Sequence, residues 1–303
     1  MDEGRRRVLK EMFEKNVAFD QSMVPFTTFR VGGKAEAVCF VEDSGSLKRV
    51  LAYAEETGTS YLVVGRGSNL LVKDGGVRGL VIILRGKLAL LERTGEKRDL
   101  VFAGAGLHLS ELLKACCQEG LAGLEFLAGI PGTVGGAVAM NAGAWGKETG
   151  DAVCEVEMMW PSGERVTKNR SNLRFSYRRF TMPEGSVIVK AGFQCIPENP
   201  DVVAGRVCHY LELRKKSQPL EYSSGGSVFK NPPRDYAGRL IERVGLKGFR
   251  IGGAMISEKH ANFIVNTGEA TAGDVLALME LARKKVKDET GVDLEPEIKV
   301  VGT

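Results

Sequence analysis

Between Gly129 and Gly146 the chain carries six glycines and a proline in one nearly uncharged stretch, Gly129-Ile130-Pro131-Gly132-Thr133-Val134-Gly135-Gly136-Ala137-Val138-Ala139-Met140-Asn141-Ala142-Gly143-Ala144-Trp145-Gly146. Glycine loses more conformational freedom on folding than any other residue, so this density is favourable only where main chain must lie flush against something. An apolar run that also holds Thr133 and Asn141 suits a flat, partly apolar ligand bearing phosphates. A tightly packed glycine-rich core loop is the alternative.

Two more glycine-bearing segments stand apart. Gly65-Arg66-Gly67-Ser68-Asn69-Leu70-Leu71 directly follows the apolar run Tyr61–Val64. Successive main-chain N–H groups in such a turn can form an anion-binding concavity, or the turn can be ordinary. It is no P-loop, because no Gly-Lys-Ser/Thr follows, and no GxGxxG, because residue 70 is leucine. In Ser223-Ser224-Gly225-Gly226-Ser227-Val228-Phe229-Lys230-Asn231-Pro232, one hydroxyl, one cation and one amide follow paired glycines. Ser227 lacks a neighbouring base in sequence, although His260 could approach in space. As a proton donor it needs only correct placement; taken alone, the segment reads as a solvated polar turn. Phe175-Ser176-Tyr177-Arg178-Arg179 sets a guanidinium beside an aromatic ring, suited to carboxylate or phosphate. Glu295-Pro296-Glu297 lies on an apolar tail, where strand alternation turns one carboxylate inward and raises its pKa; read singly, this segment and Tyr177-Arg178 are surface salt-bridge partners instead.

The surrounding pattern is mixed. Val8, Leu9, Met12 and Phe13 share a helical face, and Val38–Val41, Tyr61–Val64 and Val81–Leu84 read as strands. Between the first two strands, Ser46 caps a helix that stops near Gly58, giving a βαβ-like unit. Val101–Gly106 reads as a short strand and Ser110 as the cap of the next helix. Strands follow at Glu155–Trp160 and Val187–Cys195. Composition breaks at Pro197-Glu198-Asn199-Pro200, which places a boundary near residue 200. Beyond it come a helix over 202–216, a polar glycine-rich stretch at Tyr222–Pro233, and a helix through Ala237, Leu240, Ile241 and Val244 ending at Gly245. Ala261–Val265 reads as a strand, Thr271 with Asp274 as a capping box before a long helix, and Leu294–Val301 as a strand broken by Pro296.

Composition excludes several classes. Net charge is +4, and the basic residues are spread rather than interleaved with aromatics, which argues against nucleic-acid binding. Arg5-Arg6-Arg7 reads as a solvated helix face. The six cysteines form no CxxC pair and, with three histidines, no zinc spacing, so they read as reduced core thiols of a cytosolic protein and no metal is expected. The N-terminal residues contain no apolar h-region and no stretch approaches a membrane span, so export and membrane insertion are not expected.

Together these segments resemble the UDP-N-acetylenolpyruvoylglucosamine reductase (MurB) family. The likeness runs through Thr27-Thr28-Phe29-Arg30-Val31-Gly32-Gly33, Gly65–Leu71, Gly129–Gly146, Tyr177-Arg178, Gly226–Pro232, Lys259-His260-Ala261-Asn262-Phe263 and Leu294-Glu295-Pro296-Glu297. It spans about residue 20 to the end and is similar to the shorter form of the family, so a tyrosine that the longer form takes from an insertion has no counterpart to assign. The resemblance implies an α+β chain: a two-part FAD-binding region of the vanillyl-alcohol oxidase-like (PCMH) type plus a C-terminal α/β substrate domain. We place these at 1–85 and 86–200 for the two FAD-binding subdomains and 201–290 for the substrate domain, with 291–303 a terminal strand returning to the active site.

The resemblance also implies non-covalent FAD, because the Gly65–Leu71 turn has no histidine. Gly65, Arg66, Gly67, Ser68, Asn69 and Leu70 would hold it, together with Gly129, Ile130, Pro131, Gly132, Thr133, Gly135, Gly136, Ala137, Asn141 and Gly143. NADPH would be the electron donor, and a UDP-sugar nucleotide bearing an enolpyruvyl ether the acceptor, in the cytoplasm, with no obligate protein partner. Arg178 and Glu297 would stabilise charge developing beside the substrate carboxylate, Ser227 would give the proton, and Tyr177, Lys230 and Asn231 would bind substrate. Arg178 rather than Arg179 follows Tyr177 in the family pattern. On a strand, two adjacent residues face opposite sides. A flavin oxidase of the same superfamily and a non-catalytic nucleotide-binding or nucleic-acid-binding protein are the competing readings.

Overall fold

The computed structural model describes residues 1–93 and 99–303. It divides into two compact units that are each discontinuous in sequence. The first comprises Met1–Phe19, Ala37–Arg66 and Gly79–Leu213; the second comprises Asp20–Glu36, Gly67–Arg78 and Arg214–Thr303.

In the first unit the helix Ser44–Thr57 buries Leu47, Val50, Leu51, Tyr53 and Ala54 on one face, as its helical spacing predicts. Its cap is Asp43, whose carboxylate accepts from Ser46 N at 2.7 Å, so Ser46 is the capped residue and not the cap. Gly58 ends the helix in the left-handed region, at φ +61°. The strands on either side, Lys34–Val41 and Tyr61–Val63, lie in a four-stranded sheet ordered Val17–Ser22, Lys34–Val41, Val77–Leu84, Tyr61–Val63. Tyr61–Val63 runs parallel to residues 80–82.

An antiparallel five-stranded sheet comes next, ordered Arg165–Asn169, Val153–Met159, Val187–Gln194, Leu100–Gly104, Leu91–Arg93. The helix Leu109–Glu119 begins after His108 with no side-chain cap, so Ser110 lies inside it. One continuous core joins these elements, including Leu47, Ile82, Val101, Phe126, Val156 and Phe193. Each fully buried side chain of this size contributes about 1.5–3 kcal/mol. Cys39, Cys116 and Cys195 are buried as expected, and burial pushes the Cys39 thiol up to about 12. Cys208 departs from the core reading: it is exposed on the helix Pro200–Ser217.

The second unit is a four-stranded antiparallel sheet, ordered Ser223–Ser227, Phe263–Asn266, Ala254–Ile256, Arg250–Ile251, packed with the helices Ala237–Arg243 and Ala272–Thr290. Ser223–Ser227 is a strand that composition hides. Serine and glycine have little strand preference, but a β-carbon on Gly225 would overlap the buried Phe29 ring, so only glycine lets this strand lie where it does. The tail is strand only over Lys299–Val301, parallel to Leu70–Val72, while Pro296 forms a single bridge with Phe229. The alternation expected to turn Glu295 or Glu297 inward is therefore not formed. Leu294 and Ile298 are the buried residues, Glu295 is exposed and Glu297 half-buried.

Among the described residues no helix is long and apolar enough to cross a membrane, and no group of three metal-ligating side chains is gathered. The longest helix has the predicted capping box: Thr271 Oγ1 accepts from Asp274 N and the Asp274 carboxylate from Thr271 N at 2.9 Å. Thr271→Ala removes one of these bonds and is expected to cost about 1 kcal/mol, read as a lower urea midpoint at unchanged m-value.

Candidate active site

The glycine positions separate into two kinds. A β-carbon on Gly65 would overlap Thr133 Oγ1, one on Gly135 would lie 2.8 Å from Ala105 Cβ, and one on Gly143 2.5 Å from the Lys147 carbonyl. In the second unit, a β-carbon on Gly67, at φ +61°, would overlap the Phe26 carbonyl. For these four the packed-loop reading holds: protein occupies the space. Gly136 is different. It is exposed, and a β-carbon there would meet only Thr133 Oγ1, at 3.5 Å.

The hydrogen bonds of the long run are mostly internal. Thr133 caps the short helix Val134–Ala139 through Gly136 N, while Val134 N, Gly135 N and Ala137 N donate to Leu107, Ala105 and Thr133 carbonyls. Gly129, Ile130, Pro131 and Gly132 form the approach to that helix, with Ile130 N donating to the Leu127 carbonyl. By contrast, among the described residues the main-chain N–H groups of Gly65, Arg66, Gly67 and Ser68 find no protein acceptor. Asn69 donates through Nδ2 to the Glu297 carbonyl at 3.0 Å, and Leu70 begins the strand that pairs with the chain's tail.

Tyr177 and Arg178 form the two-residue loop of a hairpin in which Phe175 pairs with Phe180 and Ser176 with Arg179. The strand expectation of opposite faces therefore does not separate Arg178 from Arg179. Arg178 sits at the loop with φ +58°, in a region that costs an L-residue about 1–2 kcal/mol. Its Nη1 donates to the Gly143 carbonyl at 3.1 Å, and its guanidinium lies 5.2 Å from the Tyr177 ring centre. Arg179 is exposed on the return strand.

In the second unit Ser227 ends its strand opposite Phe263, after a bulge at Gly225 and Gly226. Asn262 fixes the main chain immediately after Ser227. It is 3% exposed, its main-chain carbonyl accepts from Val228 N at 2.8 Å, and its side-chain amide exchanges two bonds with the main chain of Phe229, at 3.0 and 2.8 Å. Glu297 N in turn donates to the Val228 carbonyl at 2.8 Å, so the Ser227 strand and the Glu297 segment share one network. Sequence reasoning did not single out Asn262. The available signal is a lone carboxamide in an apolar strand, which must be satisfied when buried. Lys230 is ion-paired with Glu295, and Asn231 Oδ1 accepts from Ala237 N at 3.1 Å, at the start of a helix.

Ser227 and Asn231 line a cavity of about 340 Å³ with Arg239, Lys247, Lys259 and His260. His260 Nδ1 accepts from Asn262 N at 3.2 Å, which requires the neutral ring. Burial, reinforced by Lys247, holds the His260 pKa below its ordinary 6.5. The unfolded chain thus takes up this proton more readily than the folded one. The stability tied to neutral His260 is complete above 6.5 and is lost as pH falls below it. Urea midpoints measured across that range should fall less steeply for His260→Gln than for the natural chain; equal slopes would remove His260 from the pH dependence.

Comparisons with known proteins bear on this arrangement. Residues 35–169 match a family model described as an FAD binding domain, and residues 218–301 match the C-terminal domain of UDP-N-acetylenolpyruvoylglucosamine reductase. A solved glucose dehydrogenase, Phl p 4.0202, shares the fold at 15% identity, with TM-score 0.52 over 65% of this chain and 45% of its own. The fold and the first match define an α+β flavoprotein with an FAD-binding region of the PCMH-like type.

Within that class the likeness is closer to one group. The UDP-N-acetylenolpyruvoylglucosamine reductase of Geobacter metallireducens is 45% identical over 93% of both chains, and that of Desulfosudis oleivorans 41% over the whole of both. The crystal structure of the corresponding reductase (MurB) from Thermus caldophilus matches with TM-score 0.81 at 38% identity, covering 94% of this chain and 98% of its own. The chain belongs to the UDP-N-acetylenolpyruvoylglucosamine reductase family.

Proposed function

We propose that this chain reduces UDP-N-acetylglucosamine enolpyruvate to UDP-N-acetylmuramate with electrons from NADPH, in the cytoplasm, as a step in making peptidoglycan precursors. The observation that carries the reading is the cavity at Ser227. It combines a hydroxyl, an amide and the side chains of Arg239, Lys247 and Lys259, cations now held by Asp235, Glu242 and the Lys215 carbonyl that would exchange these partners for a nucleotide diphosphate at one end, with a proton transfer at the other. Membership in the reductase family supports the same substrate class.

The residues present fit non-covalent FAD. Four consecutive unspent N–H groups, Gly65 to Ser68, are donors for phosphate oxygens, and the exposed Gly136 leaves main chain open to close approach. Asn69, Leu70, Gly129, Ile130, Pro131, Gly132, Thr133, Gly135, Ala137 and Gly143 belong to the same two segments and would complete the cradle. Asn141 is left outside this cradle, since its side-chain amide is engaged by protein on every side. When bound, FAD supplies hydride chemistry that side chains cannot.

The chain's own groups then have distinct tasks. Negative charge develops on the carbon that carries the substrate carboxylate as the neighbouring carbon is reduced. The Arg178 guanidinium, fixed at its loop, offsets that charge, and preorganised donors of this kind are each worth about 3–4 kcal/mol of barrier. Ser227 Oγ–H delivers the proton to that carbon. Glu297 assists only in its acid form, as a hydrogen-bond donor, because a carboxylate would repel the developing charge. Tyr177 and Asn231 orient the substrate, and Lys230 reaches it by exchanging Glu295 for a substrate oxygen.

The test separates two half-reactions without oxygen. NADPH should bleach the flavin bands of the FAD-loaded protein, and the enolpyruvyl sugar nucleotide should restore them. In Ser227→Ala the bleaching should keep its rate while the restoration slows by about 10²–10⁴-fold, the usual weight of a positioned proton donor. Restoration at the natural rate in Ser227→Ala, or none by the enolpyruvyl substrate in the natural protein, would contradict the proposal.

A further inference from the structure

A guanidinium at the tip of a two-residue loop is useful only if the loop is fixed, and one buried side chain fixes this one. Asn141 is 1% exposed. Its Nδ2 donates to the Ser176 carbonyl at 3.0 Å and to Glu148 Oε2 at 2.6 Å, and its Oδ1 accepts from Gly150 N at 2.8 Å. Both amide protons are therefore committed to protein acceptors. Ser176 is the last residue before the Tyr177–Arg178 loop. Two residues after Asn141, the Gly143 carbonyl accepts from Arg178 Nη1. The segment 141–143 thus grips the hairpin twice, once on the main chain entering the loop and once on the guanidinium at its tip.

The chemistry of the site selects asparagine. Two acceptors, a carbonyl and a carboxylate, need protons, and one N–H needs an oxygen; a carboxamide meets all three, whereas an aspartate cannot. Asparagine also tolerates the positive φ of +42° found here better than most residues. The anchor is itself fixed, since Glu148 and Asp151 form the capping box of the short helix Thr149–Ala152. Without such support, a left-handed arginine would relax out of its strained turn, and a long side chain with about 2 kcal/mol of rotamer entropy would sample many orientations.

We propose that Asn141 is the positioning residue for Arg178: through the Ser176 carbonyl it sets the hairpin main chain that presents the guanidinium in one orientation. The inference rests on the reading of Arg178 as the group that meets the substrate carboxylate. It assigns Asn141 an effect on the step in which substrate is reduced and none on the step in which NADPH is oxidised.

The experiment is a double-mutant cycle with Asn141→Ala, Arg178→Ala and the double variant, all FAD-loaded, with the two half-reactions read separately by flavin absorbance in anaerobic stopped flow. In Asn141→Ala, FAD content and reduction by NADPH should stay natural, while reoxidation by the enolpyruvyl sugar nucleotide slows by about 10–100-fold, as ångström-scale misplacement does. On the Arg178→Ala background the same substitution should cost less than about threefold, because the group being positioned is gone. Should Asn141→Ala fail to fold, Asn141→Asp, which keeps the acceptor for Gly150 and lacks both donors, enters the same cycle.

Reoxidation at the natural rate in the Asn141 variants, or losses that multiply fully on the Arg178→Ala background, would overturn the positioning role. So would loss of FAD from folded Asn141 variants, which would assign the amide to the cofactor. If Arg178→Ala itself reoxidised at the natural rate, the reading of Arg178 would fall and this inference with it.

Discussion

Main chain packed directly against main chain, at positions that have no room for a β-carbon, is the constraint on which both units depend. In the second unit, Gly33 lies against the Asp74 carbonyl, Gly76 at 2.8 Å from Lys34 N and Gly75 at 2.8 Å from Thr303 C, measured to where a β-carbon would stand. Three segments far apart in sequence are thereby drawn into one body, which is why residues 20–36 and 67–78 fold with the C-terminal part. In the first unit, Gly104 and Gly106 do the same against the main chain of Leu88 and Leu84. Each such glycine gives up more conformational entropy than any other residue on folding, and the close contacts it permits offset that loss.

Carboxamides then convert close packing into fixed geometry. The Asn262 side-chain amide bonds to the main chain of Phe229, two residues after Ser227, and that of Asn141 to the main chain directly before Tyr177 and Arg178. In both places a buried amide that must be satisfied holds the backbone next to a residue with a proposed chemical task. The rigid neighbour and the reactive group are close in sequence, so precision at the side chain follows from precision in the main chain.

Much of this was legible in the residues. The helix ending at Gly58, the Thr271–Asp274 capping box and the strand, helix, strand order of Lys34–Val41, Ser44–Thr57 and Tyr61–Val63 follow from local chemistry and were found where that chemistry put them. The family resemblance was carried by segments whose order along the chain is specific although each alone is weak. Elements that were not legible depended on partners remote in sequence or on competition between neighbours. Ser223–Ser227 is a strand because Phe29 stands where a side chain of residue 225 would be. Asp43 displaces Ser46 as a cap because the helix begins at Ser44, where the Asp43 carboxylate accepts from Ser46 N. The tail keeps strand geometry only where Leu70–Val72 pairs with it, so alternation fails at Glu295 and Glu297. The six glycines of the long run looked alike in sequence, yet Gly135 and Gly143 serve internal packing while Gly136 is exposed.

That last distinction can be measured. Gly136 lies in a helix with room for a β-carbon, so Gly136→Ala should leave the FAD-free protein as stable as before, or more stable by up to about 1 kcal/mol. If the glycine run is there to let main chain meet the cofactor, the dissociation constant for FAD, titrated by flavin fluorescence, should rise by about tenfold or more, the effect of a steric cost near 1.4 kcal/mol. An unchanged dissociation constant in Gly136→Ala would mean that the glycines serve protein packing alone.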